Sequence, residues 1–473
     1  MPDLSLTRLS ARDIAAKVRA REVSACDVLE SHLAVIAREN PAINAICTLA
    51  TDQARAAAEA LDRRLSAGGS AGALAGVPVG IKDVTLTAGI RTTFGSALYA
   101  DHVPAEDALV VERIKAADGI IIGKTNTPEF AAGANTVNAV FGATRNPWNP
   151  ALSASGSTGG GAAALASGMI ALADGSDLGG SLRTPAAFCG VVGFRPSPGL
   201  VPRAPSLLPW GVLSVAGPMA RDVEDAALML QTIAGPSLRA PLVVPIEGRD
   251  FVAAARAGVP KGLKVAYCPD IAGIGVDDEI ERACRAAAFE LAAAGATVEE
   301  IELDLSFARP AFIQLRGQLM VDAHLDRLDK IDRLNPNLAG NIRLGLAQSP
   351  RDVALGERGR AQVFERFREL FERYDRLATP CTAVPPFAVE RNYPEAINGK
   401  PMATYIDWVA PTFLVTLSGL PAISVPCGRT SAGLPVGLQI VGPRWGEEAV
   451  LSLARAIEER HPTGFPPSSV ALA

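Results

Sequence analysis

The chain has 473 residues and a formal net charge of −5, with 48% apolar and 20% charged residues. That is globular usage with material for a sizeable core, and the mild acidity provides no basic footprint for nucleic acid or an anionic membrane. The start, "MPDLSLTRLSARDIAAKVRARE", carries charges throughout, and no later run reaches the roughly 18 uncharged apolar residues of a spanning helix. A cytoplasmic chain that engages neither nucleic acid nor membrane is therefore expected.

In chain order, about the first 65 residues read as helices. Ser10 with Asp13, and Ser24 with Asp27, have the S-x-x-D spacing of capping boxes ahead of apolar-periodic runs. "LAGVPVGIKDV" is a short β-rich run ending in Lys82, and "DALVVERIKAADGIIIGKTNTPEF" reads as helix, strand, loop, with Ile120–Ile122 as a buried strand. "GLKVAYCPD", "DDEIERACRAAAFELAAAGA" and "TVEEIEL" spell strand, helix, strand, a βαβ unit whose strands pair in parallel. The segment from Ser306 to Tyr374 is helical and charged. Strands return at "PAISVPCG" and "LPVGLQIVGP", followed by the helix "EEAVLSLARAIEER". No fixed-period repeat or linker divides the chain. The pattern predicts one large α/β domain over residues 1–473, with a central mixed sheet covered by helices on both faces. Within it lie N-terminal helices to about 65, a core over about 70–225, a helical and βαβ segment over about 240–375, and closing strands and helix over about 376–460.

The densest run of small residues is "SASGSTGGGAAALASGMIALADGSDLGGSLRTPAAFCG", from Ser153 to Gly190. Leu165, Met169, Ile170 and Leu172 interrupt it, as do Asp174, Asp177 and Arg183, none of which a flexible linker needs. No lysine follows Gly159–Gly161 as a phosphate-binding loop requires, and neither the dinucleotide G-x-G-x-x-G nor the hydrolase G-x-S-x-G spacing is present. Seven cysteines without a C-x-x-C pair argue against a disulfide framework or a zinc site. Cys189 reads as a small buried residue, since no histidine accompanies it.

Four histidines, His32, His102, His324 and His461, lie in unrelated contexts and read as surface or packing residues. A catalytic serine here would need another base. Lysine can serve where burial lowers its pKa from about 10.4 toward neutrality, and Lys82 at the end of an apolar strand occupies such a place.

Six stretches taken together, "GVPVGIKD", "VVERIKAADGIIIGKTNTPEF", "FGATRNPWNP", "SGSTGGGAAALASG", "DGSDLGGSLRTPAAFCGVVGFRPSPG" and "GLPAISVPCG…GLPVGLQIVGP", resemble the amidase signature family in order and spacing, from about Ser10 to Glu459. The resemblance implies a Ser-Ser-Lys triad: Ser181 as nucleophile, Ser157 as bridging serine after a cis peptide at Gly156–Ser157, and Lys82 as base. It further implies an oxyanion hole from the backbone N–H groups of Leu178, Gly179, Gly180 and Ser181, bracing by Asp177 and Arg183, and no metal or cofactor. The family often has glycine where this chain has Ser155, and a polar residue at Gly161. It often has methionine at Ala131, which with Ala132 and Gly133 would line a widened acyl site.

The implied activity is hydrolysis of a small-molecule carboxamide through an acyl-enzyme on Ser181, with esters and carbamates as further substrates and a homodimer as the expected assembly. The A subunit of a tRNA-dependent amidotransferase shares the implied triad and is the alternative. It usually carries an "EASSNLARYDG"-like run, whereas Arg309–Arg343 contains no such run and no tyrosine. A non-catalytic scaffold is a second alternative, disfavoured by the complete set of Lys82, Ser157 and Ser181. Tyr405, Trp408 and Phe413, in "NGKPMATYIDWVAPTF", are candidates for the pocket wall or the core.

Overall fold

Apolar β-branched runs separated by helical segments pair into one sheet in the computed structural model, which describes residues 2–467. Numbered along the chain, its strands are Ile46–Leu49 (β1), Pro78–Lys82 (β2), Ile120–Thr125 (β3), Leu172–Asp177 (β4), Val192–Arg195 (β5), Val215–Ala220 (β6), Lys264–Tyr267 (β7), Thr297–Glu300 (β8), Arg376–Pro380 (β9), Ala422–Arg429 (β10) and Pro435–Val441 (β11). Their spatial order is β1-β3-β2-β4-β6-β5-β10-β11-β9-β7-β8. β2 pairs in parallel with both β3 and β4, and β7 with both β8 and β9, while the remaining pairs are antiparallel. The sheet is mixed and flanked by helices, as the pattern predicts.

The neighbouring interior strands β2 and β3 are buried along their whole length, which is why they read as apolar runs and not as alternating ones. The βαβ unit holds in register, with Val265 opposite Val298. Both serines cap their helices, Ser24 Oγ accepting from the Asp27 N–H at 2.9 Å and Ser10 Oγ from the Asp13 N–H at 3.0 Å, but the full box forms only at Ser24, whose own N–H donates back to Asp27 Oδ2 at 3.4 Å.

β1 falls inside the stretch expected to be helical throughout. The helix Ala25–Ile43 stops because Asn44 takes the left-handed conformation at φ 55°, which asparagine tolerates. Asn40 Oδ1 then accepts from the N–H groups of Ala45 and Ile46, both at 2.8 Å. Four residues, "ICTL", are too few to carry a period of their own.

The helix Gly159–Ala166 is buried at every residue, and its glycines set how close it approaches β3. A Cβ on Gly160 would run into the backbone of Asn126 and Ala45, which has no side-chain torsion to yield. Gly160→Ala should therefore cost about 1–3 kcal/mol, seen as a lowered urea midpoint. An unchanged midpoint would show that this packing is slack.

Candidate active site

β2 and β4 end side by side, and parallel strands of this kind gather ligands beyond their carboxyl ends. Lys82 is the last residue of β2 and is fully buried. Its Nζ donates to Ser157 Oγ at 2.7 Å, Thr158 Oγ1 at 2.9 Å and Ser176 Oγ at 3.1 Å. Burial disfavours the ammonium form and lowers the pKa from 10.5 to about 7, against the opposing pull of Asp174 and Asp177. No carboxylate touches Nζ among the described residues: Asp174 instead accepts the Lys82 backbone N–H at 2.5 Å and the Thr85 hydroxyl at 2.7 Å. Lys82 could have been a surface residue at a strand end. The fold places it in the interior.

Ser157 precedes the helix Gly159–Ala166, is 1% exposed, and follows a cis peptide from Gly156. Ser155, where the family often has glycine, sits at φ 60°. Its N–H donates to Ser153 Oγ at 2.9 Å, and its hydroxyl lies 3.1 Å from Thr184 Oγ1. Ser181 lies just before the helix Arg183–Cys189 and remains accessible to solvent. Its carbonyl accepts the Thr158 N–H at 3.2 Å, and both serines line one cavity. Lys82, Ser157 and Ser181 thus converge from three separate stretches of chain.

Of the four N–H groups expected to face an oxyanion, those of Leu178, Gly179 and Ser181 have no acceptor among the described residues. The Gly180 N–H departs from the expectation, because it donates to Asp177 Oδ1 at 3.0 Å. Gly180 contributes through its backbone shape instead: φ is 118°, and a Cβ there would strike Thr412.

Asp177 anchors this loop. Its carboxylate accepts from Arg183 Nη2 at 2.8 Å and Nε at 3.0 Å, from Arg195 Nη1 at 3.2 Å and from the Leu182 N–H at 3.2 Å. Burial alone would raise its pKa, and the two guanidinium groups outweigh burial, holding the carboxyl well below its usual range. Asp177, Arg183 and Arg195 are all fully buried. The bracing role expected of Asp177 and Arg183 matches this geometry.

The cavity in front of Ser181 measures about 560 Å³. Ala131 and Gly133 line it, whereas Ala132 packs with Met320, Leu338 and Ile342 beneath it. Tyr405 also lines it. Trp408 and Phe413 are fully buried core residues, Phe413 stacking on the cavity-lining Phe312 with centroids 4.2 Å apart. Sequence reading missed His324, Arg316 and Arg327 in the wall, because nothing local to the helical segment marks which of its faces meets the cavity. His324 packs edge-on against Phe130 at 4.8 Å, and burial lowers its pKa to about 4. No histidine is hydrogen-bonded to either serine among the described residues. Cys189 is buried with its thiol pKa pushed up by burial, as a packing residue requires. The described residues contain no cluster of histidine, cysteine or carboxylate side chains able to hold a metal.

An α/β sheet with a serine-lined cavity and a buried lysine behind it defines a class of amide-cleaving enzymes. The chain belongs to the amidase family, whose model matches residues 27–451. It is 37% identical to the A subunit of glutamyl-tRNA(Gln) amidotransferase from Geobacillus kaustophilus, over 96% of this chain and 98% of that one. Among solved structures it resembles a bacterial aryl acylamidase of the amidase signature family, with a TM-score of 0.90 and 31% identity over 96% of each chain. It also resembles the A subunit of glutamyl-tRNA(Gln) amidotransferase from Thermotoga maritima, with a TM-score of 0.80 and 29% identity over all of both chains.

These relatives correct one expectation. A chain acting alone on a small amide, or at most as a homodimer and with no link to nucleic acid, does not fit full-length relatives that are named as subunits of a tRNA amidotransferase. Net charge misled here because it averages over the whole surface and carries no information about what a partner protein binds. The helix Arg309–Ala323, in the stretch that lacks the "EASSNLARYDG"-like run, supplies part of the cavity wall. No helix among the described residues is long and apolar enough to cross a membrane.

Replacing Asp177 by Asn would leave Arg183 and Arg195 as buried cations without a counter-charge, at a cost of about 3–5 kcal/mol. Chemical denaturation should register that loss, and a variant as stable as the parent would remove Asp177 from the role of anchor.

Proposed function

We propose that the protein cleaves a carboxamide C–N bond through an acyl-enzyme on Ser181, and that it does so as an A-type component of an amidotransferase-like assembly. The observation that carries the chemistry is the 2.7 Å contact from Lys82 Nζ to Ser157 Oγ, beside a cavity that Ser157 shares with Ser181. Neutral Lys82 takes a proton from Ser157, which takes one from Ser181 as its Oγ attacks the carbonyl carbon. The oxyanion faces the unclaimed N–H groups of Leu178, Gly179 and Ser181. The relay returns the proton to the departing nitrogen, the C–N bond breaks, and water then releases the acyl group as a carboxylic acid. In the assembly, the freed ammonia passes to an acceptor held by a partner. The names of the full-length sequence relatives support this part of the reading.

A second reading, hydrolysis of amides with bulky apolar groups, is favoured by a specific observation. Leu86, Phe94, Leu319, Met320, Ile406 and Val409 line the cavity, a surface that suits an aryl or alkyl body. Two assays separate the readings: ammonia transfer with added amidotransferase partner proteins, and turnover of an aryl and alkyl amide panel by the chain alone. Transfer that requires the partners supports the first reading, and efficient turnover of anilides without them supports the second.

In either case Ser181→Ala should lower kcat/KM by at least about a thousandfold with the fold intact. Residual activity near the parental level would disqualify Ser181 as nucleophile. The base works in its neutral form, so below the Lys82 pKa it holds a proton and cannot accept another. Activity should therefore rise with pH through about 7 and stay high above it. That apparent value belongs to the coupled lysine–serine unit. Lys82→Arg should remain inactive across the profile, because arginine stays protonated, and recovery of activity in that variant would refute the base assignment.

A further inference from the structure

Buried charges are ordinarily paired, and one in the cavity wall is not. Arg316, from the helix Arg309–Ala323, is 5% exposed and lines the cavity that holds Ser181. Its Nη1 donates to Asn341 Oδ1 and its Nη2 to Tyr405 Oη at 2.6 Å, and both acceptors are neutral. No carboxylate lies within ion-pair distance of it among the described residues. A guanidinium carries five N–H groups, so three remain without a protein acceptor. Tyr405 Oη accepts from Arg316 and also from Asn341 Nδ2 at 2.7 Å, which leaves its own hydroxyl proton free to donate.

The surroundings share the same sign. Arg327 lines the cavity, bonded to Tyr99 Oη at 2.8 Å and the Ala323 carbonyl at 3.1 Å, and Arg203 stands at the rim with a 3.3 Å bond to the Ser214 carbonyl. Neither has a carboxylate partner among the described residues. Among the described residues the single carboxylate in the lining is Asp174, which accepts from the Lys82 N–H and the Thr85 hydroxyl. A planar guanidinium with free N–H groups beside a free phenolic proton fits a carboxylate. An ammonium group would meet three cations and a single carboxylate that already holds two donors.

We propose that the amide cleaved at Ser181 carries a carboxylate seated on Arg316 and Tyr405, with no ammonium beside it: the monoamide of a dicarboxylic acid and not an amino-acid amide. This rests on the acyl-enzyme reading and names the substrate class of that same site. Water is added across the C–N bond, ammonia leaves, and the product is the dicarboxylate.

The test compares ammonia release from glutaramate with that from pentanamide, which has the same carbon chain ending in methyl, and from glutamine, which adds the α-ammonium. Succinamate and adipamate extend the comparison to a shorter and a longer reach. The parent enzyme should favour the best monoamide over its methyl-ended partner by at least tenfold in kcat/KM, mostly through KM, and over glutamine by a similar factor. In Arg316→Gln the carboxylate-to-methyl ratio should fall to one or below, and Arg316→Lys should recover part of it. Each ratio is taken within one preparation, so partial misfolding cancels. Competitive inhibition of the parent enzyme by adipate, stronger than by the neutral hexanamide, gives a reading that needs no variant. A parent that prefers pentanamide or glutamine, or an Arg316→Gln ratio equal to the parent's, would overturn the proposal. Loss of turnover in Ser181→Ala is scored separately, so failure of the acyl-enzyme reading is not mistaken for failure of this one.

Discussion

A lysine amine sealed from water among three hydroxyl groups is the constraint around which the centre of the molecule is arranged. Lys82 Nζ contacts Ser157, Thr158 and Ser176 and no carboxylate, so the interior solvates it with neutral dipoles and leaves it near the balance point between amine and ammonium. Lys124, opposite Ile81 on the adjacent strand β3, is buried too, and burial lowers its pKa to about 8. It differs in its partners, the Thr85 carbonyl and the Thr87 hydroxyl, and has no serine that opens onto the cavity. Asp174 lies electrostatically between the two lysines. Its charge favours the ammonium form of both and so opposes the effect of burial on each.

Holding that amine against two serines requires the backbone to come closer than ordinary residues allow. The glycine-rich stretch meets this requirement at definite points. A Cβ on Gly175 would strike Leu182 and Thr158, and one on Gly193 would run into the Leu182 carbonyl. The Asp177 carboxylate then fixes the loop by drawing two guanidinium groups and two backbone N–H groups onto itself. Such an arrangement is costly to disrupt and tolerates little repacking. The loop that carries Ser181 is therefore rigid for reasons lodged behind it, away from the cavity.

The cavity is built on a different principle. Its floor comes from the glycine-rich loops. Its walls come from segments far apart in sequence: Val84 to Ala134, Pro202 to Ala216, Phe312 to Arg327 and Tyr405 to Val409. On the proposed reading the floor would set which bond is cleaved and the walls which molecule presents it. That division explains how chains of one fold serve tRNA amidotransferases and aryl acylamidases alike. Arg316, Phe94, Phe130 and His324 all lie in the walls, and Tyr99 packs edge-on against Phe94 and Phe130.

The sequence by itself determined the elements that rest on local physics. The apolar runs marked β2, β3, β10 and β11, the S-x-x-D spacings marked two helix starts, and the ordered motifs marked the family and singled out Lys82, Ser157 and Ser181. Its limits are equally physical. A four-residue strand such as β1 carries too little pattern to be seen, and nothing near Gly180 in sequence reveals that Asp177 takes its N–H. Only the tertiary structure decided that Lys82 is buried, that Ala132, Trp408 and Phe413 pack in the core while Tyr405 reaches the cavity, and that Arg316 faces it without a counter-charge. Those properties depend on contacts between segments tens to hundreds of residues apart. Burial and pairing are relations among distant parts of the chain, and no local run of residues encodes them.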